Sequence, residues 1–168
     1  MTTLENQCVL ASHCKKAGQD SHCNILCYPY VLMHGSSGKG GFWTSTNVPK
    51  KYRTLRVNDL KMLEGENPEA YNVAKIYASN ILEYVNQGVG LFLYSIPNTM
   101  NKMGTGTGKT TVATTLVNEY TIARVKLHAS GKKRIEVQPA LFVRASEFQN
   151  TYNAQFRGTE EQRLSASE

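Results

Sequence analysis

Apolar residues recur at helical spacing through the middle of the chain, where Ala70, Val73, Ala74, Tyr77, Ile81, Tyr84 and Val85 share one face. Asn67-Pro68-Glu69 opens that stretch with an N-cap, a proline at the first helical position and an acid suited to the helix dipole. Gly88 closes it, so a helix is predicted over 67–87. Leu91-Phe92-Leu93-Tyr94 follows as a short unbroken apolar run, the pattern of a strand buried on both faces of a parallel sheet. A second helix should begin within Gly108-Lys109-Thr110-Thr111 and carry Val112, Ala113, Leu116, Val117, Tyr120 and Ile122 inward as far as about Leu127. Ala140-Leu141-Phe142-Val143 predicts another buried strand, and Ser146 with Gln149 predicts a capping box opening a third helix. Helices alternating with strands define an α/β sheet domain.

The first third of the chain reads differently. Tyr28 to His34 is apolar and gives way to Gly35-Ser36-Ser37-Gly38-Lys39-Gly40-Gly41, a flexible boundary with little side chain to pack. Phe42 and Trp43 then cap a small core. Val48-Pro49-Lys50-Lys51-Tyr52-Arg53 is a basic connector, with Pro49 opposing helix at Val48. The expected organisation is a small module over 1–46, a basic linker over 47–66 and an α/β part over 67–168.

With 168 residues, 40% of them hydrophobic, the chain suits one domain or a small module beside a larger one. No apolar run approaches the ~20 residues of a membrane span, and the first residues lack a signal-peptide layout, so the expected compartment is the cytoplasm, with no membrane partner. A net charge of +6 permits nucleic acid as a partner without requiring it. Lys126, Lys132, Lys133 and Arg134 could contact the phosphates of single-stranded DNA, or form a solvated basic loop.

All four cysteines, Cys8, Cys14, Cys23 and Cys27, fall in the first 27 residues. So short and polar a region buries little apolar surface, and a metal would supply the folding free energy that a core cannot. Cys8, Cys14, Cys23 and Cys27 are therefore candidate ligands of a tetrahedral zinc ion. His13 or His22 could replace one of them. The alternative is a set of reduced or redox-active thiols, because the spacing departs from the common C-x2-C pairs.

The strongest chemical signal is Gly104-Thr105-Gly106-Thr107-Gly108-Lys109-Thr110-Thr111, between an expected strand and an expected helix. Glycines let backbone amides turn inward around phosphate oxygens, and the helix N-terminus adds partial positive charge. Lys109 would reach the terminal phosphates of ATP and the Thr110 hydroxyl would ligate Mg2+. The pattern departs from the usual one at Met103, where a glycine would stand. Hydrolysis is not expected of this chain, because no acidic residue ends a later apolar run.

Taken together, the clustered cysteines, the basic connector before the core, Asn67-Pro68-Glu69-Ala70-Tyr71, Gly90-Leu91-Phe92-Leu93-Tyr94-Ser95 and the loop from Gly104 to Thr111 resemble the helicase loaders of bacteria and their phages. These are AAA+ ATPases with an amino-terminal zinc-binding domain. The resemblance implies a partial P-loop NTPase core behind a zinc module that docks on the replicative DNA helicase. It also implies ATP as a switch, self-association of the ATPase part, and delivery of the helicase to single-stranded DNA in replication. Met103 and the unusually long connection from Ile96 to Lys102 between the expected strand and the loop look more like phage versions. Family members carry a second acidic motif, a polar sensor and an arginine acting across subunits, all of which would lie beyond Glu168, so the chain reads as a fragment of a longer loader. Competing readings are a non-catalytic zinc-binding adaptor, a transposase-helper ATPase and a metabolic P-loop kinase.

Overall fold

The computed structural model describes residues 8–19, 21–97, 99, 102–104 and 106–157. Among them the regular elements are all helical: α1 (Tyr28–His34), α2 (Phe42–Ser45), α3 (Lys61–Glu66), α4 (Pro68–Ser79), α5 (Ile81–Asn86), α6 (Lys109–Ala129) and α7 (Ala145–Arg157). Short 3-10 turns at Ala11–His13, Lys50–Tyr52 and Val57–Asp59 join the first half together.

The α/β expectation, and with it the sheet of a P-loop NTPase (AAA+) core, is overturned: no strand forms among the described residues. Neither apolar run has, among the described residues, a neighbouring strand to take its backbone N–H and C=O groups, which is what makes a strand. Along the first run Phe92 is 87% and Tyr94 69% exposed, stacked on each other at 6.0 Å, while Leu93 turns inward. The second run docks on the end of α2 instead. The Phe142 N–H donates to the Thr46 carbonyl at 2.8 Å, and Asn47 Nδ2 donates to the Phe142 carbonyl at 3.0 Å.

The predicted helix over 67–87 forms in two pieces. Asn67 caps it as expected, its side chain accepting from the Ala70 N–H at 3.0 Å. At its middle, Ser79 Oγ donates to the Lys75 carbonyl and Asn80 Nδ2 to the Ile76 carbonyl, and the helix breaks where these side chains compete for backbone acceptors. The helix expected from Ser146 starts two residues earlier, after Arg144, whose N–H donates to the Glu147 carboxylate at 3.4 Å.

Helix α6 is the axis of the molecule; α1, α4 and α5 all pack on it. Two apolar clusters divide along its length. Val112, near its start, joins Val57, Leu60, Tyr71 and Ala74, with Leu93 and Leu116 at the edge. Ile122 and Val125, near its end, join Leu10, Met33, Phe42 and Trp43. Between them the buried face is polar, carrying Thr114, Thr115, Asn118 and Thr121, all fully enclosed. Thr114 and Thr121 satisfy their hydroxyls on the carbonyls of Thr110 and Val117, each at 2.8 Å. Asn118 Nδ2 donates to the Tyr52 and Leu55 carbonyls at 2.7 and 3.0 Å. The inward face therefore differs from the one expected: Ala113, Leu116, Val117 and Tyr120 are only half-buried. Counting apolar residues misplaces the face by favouring them over the buried threonines.

The glycine-rich stretch from Gly35 to Gly41 is a bonded turn. The Gly40 N–H donates to the His34 carbonyl at 2.8 Å, and Gly41, at a φ of +64°, lies against the backbone of Leu32 and Met33. The basic connector is anchored too: Val48 is fully buried and Arg53 Nε donates to its carbonyl at 2.9 Å.

Candidate functional site

The loop before α6 gathers the residues with the clearest chemistry. Gly104, Gly106 and Gly108 have φ values of +59°, +73° and +81°, a region that side chains disfavour, so the glycines carry the turn. Gly108 is the N-cap of α6 and places no side chain over the helix end. The first N–H groups of a 21-residue helix are thus left without a side-chain cap, at the end where its dipole is positive.

Lys109 stands half-buried in the first turn and bends back over the loop. Its Nζ donates to Ser95 Oγ at 2.6 Å, to the Gly104 carbonyl at 2.8 Å and to Thr107 Oγ1 at 3.0 Å. The Ser95 and Thr107 hydroxyls also bond each other. Gly106, Thr107 and Thr110 are exposed, and Thr111 is half-buried. Thr105 lies outside the described residues. Met103, the departure from the motif, is 82% exposed and fills no space in the loop.

Ser95 received no role from the sequence, although it ends the run that the motif context requires. Its position follows from Leu93 two residues earlier, which packs against the cluster of Val57, Leu60, Tyr71, Ala74 and Val112 and so pins the segment beside α6. Among the described residues there is no sheet, yet Ser95, a glycine loop and a helix N-terminus come together.

The second candidate site is the cysteine region. Cys8, Cys14, Cys23 and Cys27 are all reduced and all line one cavity of about 900 Å3, together with His22, Lys15, Lys16 and the end of α6. Cys14 is exposed and the other three are half-buried. Burial raises the Cys8 thiol above its ordinary value; the Leu10 N–H works against this, and the other three cysteines push it further up. Among the described residues no group of three His, Cys, Asp or Glu side chains is drawn to ligand spacing. Four thiols are a donor set that a structural zinc ion could take, and all four line the same cavity. His22 Nδ1 is hydrogen-bonded to Ser21 Oγ at 2.7 Å on the exposed rim, and the His13 side chain lies outside the described residues.

The basic residues divide. Lys132, Lys133 and Arg134 are exposed beyond α6, whereas Lys126 is pulled below its ordinary value by partial burial and by Arg56. Two ion pairs escaped the sequence reading. Arg56 meets Glu119, and Arg124, only 3% exposed, meets Glu136. Among the described residues no helix is long and apolar enough to cross a membrane.

No protein-family model, curated protein or solved structure matches this chain.

Proposed function

We propose that the chain binds the phosphate chain of ATP at the loop from Gly104 to Thr111, carries a zinc ion on its amino-terminal cysteines, and serves DNA replication as a helicase loader. The observation that carries the reading is Lys109: its ammonium is drawn into a loop of three left-handed glycines at the N-terminus of the longest helix. An ammonium, a glycine loop and the positive end of a helix dipole in one place suit polyanionic oxygens. Thr110, exposed on the first turn, would hold Mg2+ against the same phosphates.

In this reading ATP acts as a switch. The cysteine module docks on a hexameric replicative helicase, while copies of the ATP-binding part associate and pass the helicase to single-stranded DNA. The exposed Lys132, Lys133 and Arg134 offer phosphate contacts. Support for the zinc is the convergence of all four thiols on one cavity.

Calorimetric titration of the purified chain with Mg-ATP tests the reading, with and without Lys109→Ala. Binding that disappears in the variant is expected, and undiminished binding overturns it. A second reading, a zinc-bearing adaptor whose glycine loop is only structural, is favoured by a scaffold whose described residues form helices and no strand. It predicts zinc without nucleotide binding.

A further inference from the structure

The ammonium that would receive a phosphate is already occupied. Lys109 has three protons to donate, and three oxygens stand within 3.0 Å of its Nζ: Ser95 Oγ, the Gly104 carbonyl and Thr107 Oγ1. Two of these belong to the loop itself. Among the described residues Ser95 is the one acceptor from outside it, fourteen residues upstream, and it makes the shortest of the three contacts. Its hydroxyl also bonds Thr107, so that one side chain ties down both the lysine and the loop.

The close approach is built into the backbone. Gly104 is buried at a φ of +59°, and a Cβ there would stand 3.2 Å from the Ser95 Cβ. Leu93, packed on the Val112 cluster, fixes the segment on which Ser95 rides. Neither contact is an accident of a wandering side chain.

We propose that Ser95 is a positioning residue that sets the affinity for the phosphate chain by competing with it for Lys109. A phosphate oxygen carries negative charge and a hydroxyl does not, so the ligand wins the ammonium, but at the expense of the Ser95 contacts. Those contacts are subtracted from the affinity. Displacing Ser95 also removes its bond to Thr107. The proposal rests on reading the loop from Gly104 to Thr111 as a phosphate receptor.

The test is calorimetric titration of the whole chain with Mg-ATP and with pyrophosphate, for the wild type and for Ser95→Ala, Ser95→Cys and Ser95→Thr, with thermal melting of each. Losing one charge-assisted hydrogen bond from the ligand-free state should tighten both ligands about tenfold in S95A. S95C, of similar size and a weak acceptor, should move the same way, which keeps the test informative if the alanine variant does not fold. S95T retains the hydroxyl and should bind like the wild type. Unchanged affinity in S95A and S95C overturns the proposal, and weaker affinity overturns it in favour of Ser95 as a direct ligand. A wild-type chain that binds neither ligand overturns the phosphate-receptor reading and the proposal with it. Wild-type binding without tightening in the variants overturns the proposal alone.

Discussion

Arg56 and Glu119 meet across 63 residues of sequence in a two-bond fork, Nε to Oε1 at 2.9 Å and the terminal nitrogen to Oε2 at 2.8 Å. The same carboxylate accepts from the Val57 N–H at 2.9 Å, and another guanidinium nitrogen of Arg56 donates to the Val9 carbonyl at 3.4 Å. One pair thereby joins the amino-terminal segment, the 3-10 turn at Val57–Asp59 and the middle of α6. Both side chains are largely buried, so removing one leaves the other charged, desolvated and underbonded. Glu119→Ala should cost about 3 kcal/mol in chemical denaturation. A double-mutant cycle with Arg56→Ala should show strong coupling between the two. Additive effects would mean that the fork is incidental.

Gly41 should be the least replaceable glycine in the first half of the chain. A Cβ there would lie 2.6 Å from the Leu32 carbonyl oxygen and 2.7 Å from both the Gly35 nitrogen and the Met33 carbonyl carbon, all backbone atoms that cannot step aside. Phe42 and Trp43 follow directly and would lose their seat in the core. Gly41→Ala should cost on the order of 3 kcal/mol. Gly131→Ala, at a φ of +73° but in open space, should cost only the conformational strain of about 1 kcal/mol. Equal losses at the two positions would show that the backbone contacts at Gly41 do not matter.

His34 should make the fold acid-sensitive. Its ring is buried, stacked on Tyr30 at 4.5 Å and edge-on to Trp43 at 6.2 Å, with Nε2 lacking a hydrogen-bond partner among the described residues. Burial lowers its pKa, so the folded chain keeps it neutral where the unfolded chain would protonate it. The unfolded state then binds more protons, and stability falls as pH drops below about 6.5, by up to about 1.4 kcal/mol per pH unit until the folded ring titrates. Above that pH the group contributes no slope. Denaturation followed by the fluorescence of Trp43, the only tryptophan, should show this loss, and His34→Gln should flatten it. A variant with the wild-type pH profile would place the acid sensitivity elsewhere.

What was legible in the sequence was local. Asn67 capping a helix and the start of α6 at Lys109 both depend on neighbours a few residues apart, where spacing is informative. The α/β class was not, because an apolar run becomes a strand only when another strand pairs with it. Leu91 to Tyr94 has the composition and lacks the neighbour. The buried face of α6 was hidden for a related reason. Thr114, Asn118 and Thr121 are buried by bonding to carbonyls of their own helix and of distant turns, and hydropathy counts such residues as solvent-facing. At the candidate site the lysine and glycines announced themselves through their motif. Ser95 did not, since its role depends on a contact across fourteen residues that only the packing of Leu93 brings about.

The cysteine region carries the last prediction. Four thiols on one cavity can act as a metal cage or as redox partners, and the two roles respond oppositely to oxidant and chelator. If they hold zinc, the purified chain should contain about one ion per molecule by mass spectrometry under native conditions. Cys8→Ser and Cys23→Ser should each lose it, because a tetrahedral site deprived of one thiolate binds far more weakly. Chelation should then loosen the packing around Leu10 and Met33, which lie beside Cys8 in the same cluster, and Trp43 fluorescence would report it. A chain that stays metal-free, keeps its Trp43 signal in chelator and forms a disulfide under mild oxidation would assign the thiols to redox chemistry instead.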